Sequence, residues 1–254
     1  MDRKDINEII KEGIKFIEKK GLINFLLRKS GYSMPDEAHW SLEKWHEEWL
    51  KNPDSLGNIA KEGLGWDITD FNLGNFYENG LLLYTLSNGV IGPDGQPVSQ
   101  PYSNKIMVAR ENQVTPLHRH KRKIEDIACL EGNLMMKLYN LEEDDIDLDK
   151  DVYIERNGIL RRYTPGEPII LTPGNRLRLE PRHWHTFCGY KGTALLEEAS
   201  GVNDDRTDNV FLDKRVGRLP AINENEKPRF LLFTELPGTA KFDELVKTYT
   251  HGQK

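Results

Sequence analysis

Thr115-Pro116-Leu117-His118-Arg119-His120-Lys121-Arg122-Lys123-Ile124-Glu125-Asp126 carries the pattern that decides the fold. Residues two apart on a β-strand point to the same face, so His118 and His120 present their imidazoles together. A turn after them would bring the Glu125 carboxylate back beside both rings. Two histidines and a carboxylate outline a site for a first-row divalent metal. A fourth ligand must come from elsewhere, and His185 in Leu179-Glu180-Pro181-Arg182-His183-Trp184-His185 is the candidate. Four of the seven histidines fall in these two segments. His183 competes with His185, because both would lie on one strand face.

Outward from this stretch the chain reads as short strands separated by turn signals. They cover residues 81–86, 105–108, 113–120, 133–140, 169–171, 176–179, 185–188 and 193–199. Asn157-Gly158 supplies the positive φ angles of a type I′ turn, which makes 152–160 a hairpin. Such spacing predicts a mainly β domain, a sandwich or barrel. The acidic run 142–151 lacks the glycine and final glutamate of a calcium loop, having Lys150 and Arg156 instead, and reads as a solvated loop. Residues 1–63 read as helical. Ile6, Ile9, Ile10, Ile14 and Ile17 make one apolar face, with Gly21 as C-terminal cap. A second helix is expected after Pro35, with Asp36 as N-cap and Trp40, Trp45 and Trp49 for packing. Residues 64–71 read as a turn leading into a short helical piece, and 239–249 as a short helix. The expected organisation is an N-terminal helical extension, 1–63, packed on a barrel spanning 64–254 with a C-terminal tail.

The 254 residues suffice for a real core. A formal charge of -6 argues against nucleic acid or an anionic membrane as the main partner. Cys129 and Cys188, the only cysteines, form no CxxC and no disulfide framework, so a reducing cytoplasm is expected. No run of ~18 apolar residues exists and the first twenty residues lack a signal-peptide core.

His118-x-His120-x₄-Glu125-x₆-Gly132 resembles the first metal motif of the cupin superfamily, and Pro181 to His185 its second. The glycine usual six residues before the first histidine is Asn112 here, which tolerates the same left-handed conformation. The second motif is one residue short, lacks its central glycine, and has Gly189 where cupins often have Asn. A closer resemblance is to the D-lyxose isomerase family. It rests on Leu64-Gly-Trp-Asp-Ile-Thr-Asp-Phe, Asn75-Phe76, Lys105-Ile-Met and Gln113-Val-Thr-Pro-Leu-His-x-His. Arg122-Lys-Ile-Glu-Asp, Trp184-His185, Glu198-Ala-Ser-Gly-Val-Asn-Asp-Asp and Asp208-Asn209 complete it. The resemblance implies a cupin β-barrel of jelly-roll type and a manganese-dependent enzyme, usually a homodimer. The implied activity interconverts D-lyxose with D-xylulose, and often D-mannose with D-fructose. The implied metal ligands are His118, His120, Glu125 and His185.

Aldose–ketose isomerisation moves a hydrogen between C1 and C2 while two oxygens exchange roles. A divalent metal polarises the carbonyl and steadies the enediolate. Three histidines and a carboxylate also suit Fe²⁺, Co²⁺ or Zn²⁺. Glu198 is the candidate base for the carbon-bound proton, while Glu197 would point to the opposite face. Lys123 is placed to hold or protonate a substrate oxygen. Lys121 and Arg122 read as solvated. Lys105, Phe187, Asp204 and Asp205 are candidates for sugar recognition, although Asn203-Asp204-Asp205 also fits a turn. A cupin oxygenase and a non-catalytic sugar-binding cupin are the competing functions; the base–acid pair favours proton transfer over oxygen chemistry, and fold alone does not separate the enzyme from the binding protein.

Overall fold

The computed structural model describes residues 1–28 and 33–250. Its helices are α1 (Arg3–Arg28), α2 (Leu42–Lys51), α3 (Pro53–Leu56), α4 (Ile59–Glu62) and α5 (Ala240–Thr250). Its strands are β1 (Gly65–Thr69), β2 (Leu81–Ser87), β3 (Ser103–Ala109), β4 (Thr115–His120) and β5 (Glu125–Glu131). They continue with β6 (Leu134–Glu142), β7 (Asp145–Asp147), β8 (Val152–Arg156), β9 (Ile159–Tyr163) and β10 (Ile169–Leu171). The last are β11 (Arg176–Leu179), β12 (His183–Gly189), β13 (Ala194–Ser200) and β14 (Asn209–Phe211). The protein is mainly β with N-terminal helices, as expected. Two compact units emerge: residues 1–68, 84–86 and 221–254 form one, and 69–83 with 87–220 the other.

The larger unit is built on period-two burial. In β6, Leu134, Met136 and Leu138 are buried and Met135, Lys137 and Tyr139 less so. Strands β3-β13-β5-β11-β8-β9 run in that order through one antiparallel sheet, and β10-β6-β12-β4-β14 through a second. Met107, Ile127 and Leu177 from the first sheet share one core with Met136, Leu171 and Phe187 from the second. Face-to-face antiparallel sheets around a common core are the jelly-roll arrangement. Each such buried side chain stabilises by about 1.5–3 kcal/mol. Asn157 and Gly158, with φ of 53° and 79°, close the expected hairpin. Asn112 takes the left-handed conformation, φ 57°.

In the smaller unit the isoleucine face of α1 is buried. Arg3 is fully buried, and its guanidinium donates to Glu224 at 2.8 Å and to Glu235 at 2.9 Å. Trp45 packs with Leu42, Leu231, Leu236 and Phe242. Residues 221–254 therefore join the N-terminal helices. No helix among the described residues is long and apolar enough to cross a membrane.

Several local expectations are corrected. α1 continues through Gly21. Asp36 opens a 3₁₀ turn over Asp36–His39, and Ser41 caps α2 by accepting from the Lys44 backbone N–H at 3.3 Å. Residues 65–69 are a strand buried on both faces, so no alternation marks it. β5 went unrecognised because Glu125 occupies the first inward position of an otherwise alternating strand. The acidic run holds the short strand β7, paired with β6.

Gly189 tests the packing at the end of β12. A Cβ there would meet the backbone oxygens of Gly192, Ala109 and Arg110 at 2.5, 2.6 and 2.8 Å. Gly189→Ala should destabilise by about 1–3 kcal/mol, as overpacking does. Chemical denaturation checks this; an unchanged midpoint would mean that the strand end is free to shift.

Candidate metal centre and active site

Two registers assemble the histidines. On β4, the strand period turns His118 and His120 to one side. On β12, antiparallel pairing sets His185 directly opposite His118. Ligating atoms of the three rings lie within 4.8 Å of one another, and all three residues are buried. From the facing sheet, Glu125 at the start of β5 brings Oε1 to 3.0 Å from His120 Nε2 and Oε2 to 3.7 Å from His185 Nε2.

Backbone carbonyls fix two of the rings. His118 Nδ1 lies 2.8 Å from the Pro116 oxygen and His185 Nδ1 lies 3.2 Å from the His183 oxygen. A carbonyl only accepts, so each Nδ1 carries the proton and each Nε2 keeps its lone pair. Burial holds the His185 pKa down to about 4 and His118 well below its ordinary value. Both imidazoles are neutral at neutral pH. Burial opposes charge on His120, but the Glu125 carboxylate outweighs it and raises that pKa. Burial likewise opposes charge on Glu125, and His120 with Lys123 overcomes it, holding the carboxylate well below its usual range. Inward lone pairs on His118 and His185, a third imidazole and an ionised carboxylate fit a divalent cation, and the nitrogen–oxygen donor set suits Mn²⁺, Fe²⁺, Co²⁺ or Zn²⁺.

A second cluster adjoins the first. Lys105 on β3 is paired in register with Glu198 on β13, and Ser200 with Glu125. Glu198 Oε1 accepts from Lys123 Nζ at 3.0 Å, Lys105 Nζ at 3.1 Å and Ser200 Oγ at 2.8 Å. Lys123 Nζ also lies 2.6 Å from Glu125 Oε1, so it bridges the two carboxylates. Asn203 Oδ1 accepts from Lys105 at 2.7 Å and from Lys123 at 3.3 Å. Burial would raise the Glu198 pKa, but the two lysines win and lower it. Burial lowers Lys105, whereas in Lys123 it is overcome by Glu125 and Glu198, which raise that pKa. An ionised carboxylate thus sits beside two amines tuned in opposite directions.

One cavity collects these groups. His118, His120, Glu125, His185, Glu198 and Lys123 line it, as do Lys105, Phe187 and Asp205. Asp204 does not line it. Its carboxylate accepts the backbone N–H groups of Arg206 and Thr207 at 3.2 Å and pairs with Arg122, which is turn chemistry. His183 is buried away from the cavity, where its Nδ1 accepts the Glu180 N–H at 3.1 Å. Glu197 leaves by the opposite face, accepting from Asn104 at 2.9 Å. Among the lining residues that sequence reasoning missed are Asn203, Asn209, Phe211 and Arg218. Asn209 donates to Asp205 at 3.1 Å, and Arg218 pairs with Asp205 at 3.3 Å. Asn209 belonged to the family-like Asp208-Asn209 pair, whereas Arg218 had no local signal.

The chain is 39% identical over 239 residues to the D-lyxose/D-mannose isomerase of Escherichia coli O157:H7, covering 92% of this chain and 98% of that protein. It is 37% identical over 205 residues to the D-lyxose/D-mannose isomerase of Serratia proteamaculans, covering 80% and 87%. Among solved structures it is similar to Cellulomonas parahominis L-ribose isomerase without ligand, at 16% identity and a TM-score of 0.44, covering 70% of this chain and 97% of that one. The model of the D-lyxose isomerase family matches residues 1–236, and this chain belongs to that family.

Proposed function

We propose that this protein is a divalent-metal-dependent ketol-isomerase that interconverts D-lyxose with D-xylulose and D-mannose with D-fructose. The observation that carries the proposal is the Glu198–Lys123 pair, 3.0 Å apart, with Lys123 also bridged to Glu125 beside the three histidines. The relatives named above carry both aldoses in their names. D-lyxose and D-mannose share their configuration from C2 to C4, so one arrangement of groups around C1 and C2 serves both.

His118, His120, Glu125 and His185 would hold the ion, which supplies Lewis-acid stabilisation of the charge developing on the two sugar oxygens. Glu198 takes the proton from C2 of the aldose, and the bonding pair left behind forms the C1–C2 double bond of an enediolate. Its Oε1 takes three donors, whereas Oε2 meets Lys105 Nζ at the longer distance of 3.4 Å, which makes Oε2 the oxygen to receive that proton. Returning the proton to C1, while the proton of the C2 hydroxyl passes to the oxygen on C1, completes the ketose. Lys123, held cationic by its two carboxylates, protonates or holds the oxygen on which charge grows. Lys105 and Asn203 fix the Glu198–Lys123 geometry, and Phe187 and Asp205 contact the sugar. Oxygen chemistry would leave this base–acid pair without a role, so turnover should proceed without oxygen uptake.

His120→Ala should lose the bound ion and activity together, while the native protein should hold close to one divalent ion per chain. Metal analysis decides; full occupancy in the variant would move the site elsewhere. Mn²⁺ should restore the chelated enzyme at least as well as Fe²⁺, Co²⁺ or Zn²⁺.

Glu198→Gln keeps shape and hydrogen bonding but removes the capacity to accept a proton. Turnover should fall by roughly 10² or more with the metal retained, and exchange of the C2 hydrogen with deuterated solvent should fall in parallel. An unchanged rate would reduce Glu198 to a wall of the cavity. Lys123→Met should slow turnover while sparing part of the exchange.

The family resemblance also favours a homodimer, so sedimentation should return twice the chain mass. A monomer at micromolar concentration would contradict it.

A further inference from the structure

The three histidines are not restrained in the same way. His118 and His185 each direct Nδ1 to the carbonyl two residues earlier, Pro116 and His183. His120 does not; its Nδ1 faces a side chain, with Asp208 Oδ2 3.5 Å away. Both atoms are buried, and among the described residues neither has a hydrogen-bond partner within ordinary geometry, so each faces the other as its polar neighbour at 3.5 Å. Asp208 itself is 2% exposed and tightly placed. Its backbone N–H donates to the Asp204 carbonyl at 3.1 Å, and its carbonyl accepts from the Lys121 N–H at 2.9 Å. Its Oδ1 accepts the Arg122 backbone N–H at 2.9 Å, which turns the other oxygen to His120. The next residue, Asn209, pairs in register with His120 and continues into β14.

We propose that Asp208 is a positioning residue for the metal centre: its Oδ2 accepts the His120 Nδ1–H and so keeps Nε2 of that ring as the ligating lone pair. The inference rests on the metal reading given above and extends it to a residue outside the ligand set. An imidazole carries one proton when neutral, and whichever nitrogen meets an obligate acceptor keeps it. A carboxylate can only accept. It fixes the tautomer more firmly than a carbonyl and makes the ring a stronger donor to a cation. His120 needs this most, since Nε2 otherwise pairs with Glu125 at 3.0 Å and would retain a proton there.

Asp208→Asn separates this role from mere packing. The amide keeps size and shape, and its oxygen can still accept from Arg122. Its NH₂ then faces His120 Nδ1, which must accept, and the proton moves to Nε2. In chelator-stripped protein titrated with Mn²⁺, the variant should bind about 10–100-fold more weakly than wild type. Melting of the metal-free proteins should be closely similar. A second measurement needs no variant. In Zn²⁺-loaded wild-type protein, the Nδ1–H proton of His120 should resonate downfield of those of His118 and His185, because its acceptor is charged and theirs are neutral. Equal Mn²⁺ affinity in wild type and variant, or three indistinguishable Nδ1–H resonances, would overturn the assignment of Asp208 alone. Wild-type protein that takes up neither Mn²⁺ nor Zn²⁺ would overturn the metal reading as well.

Discussion

Lys105, Lys123, Glu125 and Glu198 are all at most 6% exposed, and this burial of charge is the constraint on which the cavity depends. Each ion taken out of water costs several kcal/mol unless a partner and further hydrogen bonds compensate. The compensation runs as one chain: His120 to Glu125, Glu125 to Lys123, Lys123 to Glu198, and Glu198 to Lys105. It begins on the six-residue strand β4 and ends on β3, so it joins both sheets. No member can be deleted without stranding its neighbour, which makes the cluster a unit in energy as well as in geometry.

This pairing also explains the chemistry's tolerance of strong charges in a closed site. A carboxylate surrounded by amines stays ionised, and an amine between two carboxylates stays cationic. Aromatic walls, with Phe211 5.8 Å from the His118 ring and from Phe71, keep the surroundings apolar. Electrostatic interactions are stronger in such surroundings than in water.

His118, His120 and Glu125 were legible in the sequence because one strand period and one turn bring them together. His185 was legible only as a candidate, since its place depends on the pairing of β12 with β4, a register that spacing does not encode. The loop before β14 shows the limit of local rules. Asp204 and Asp205 are neighbours of the same type, yet one serves a turn and the other lines the cavity. No periodicity distinguishes them. β1 was missed because burial on both faces erases alternation, and β5 because a glutamate stands in a core position. In each case the pattern is broken where side chains serve burial or chemistry in place of amphipathicity.

The smaller unit is made from both ends of the chain, with Arg3 enclosed by Glu224 and Glu235. That arrangement sets an order for synthesis on the ribosome. Residues 1–68 emerge first but cannot complete their unit until 221–254 follow. At about 5–20 residues per second, the intervening stretch takes roughly 8–30 s to make. Throughout that interval Arg3 lacks Glu224 and Glu235, and Leu42 and Trp45 lack Leu231, Leu236 and Phe242. The nascent chain is therefore a stage at which apolar side chains stand without their partners, open to self-association and to a chaperone.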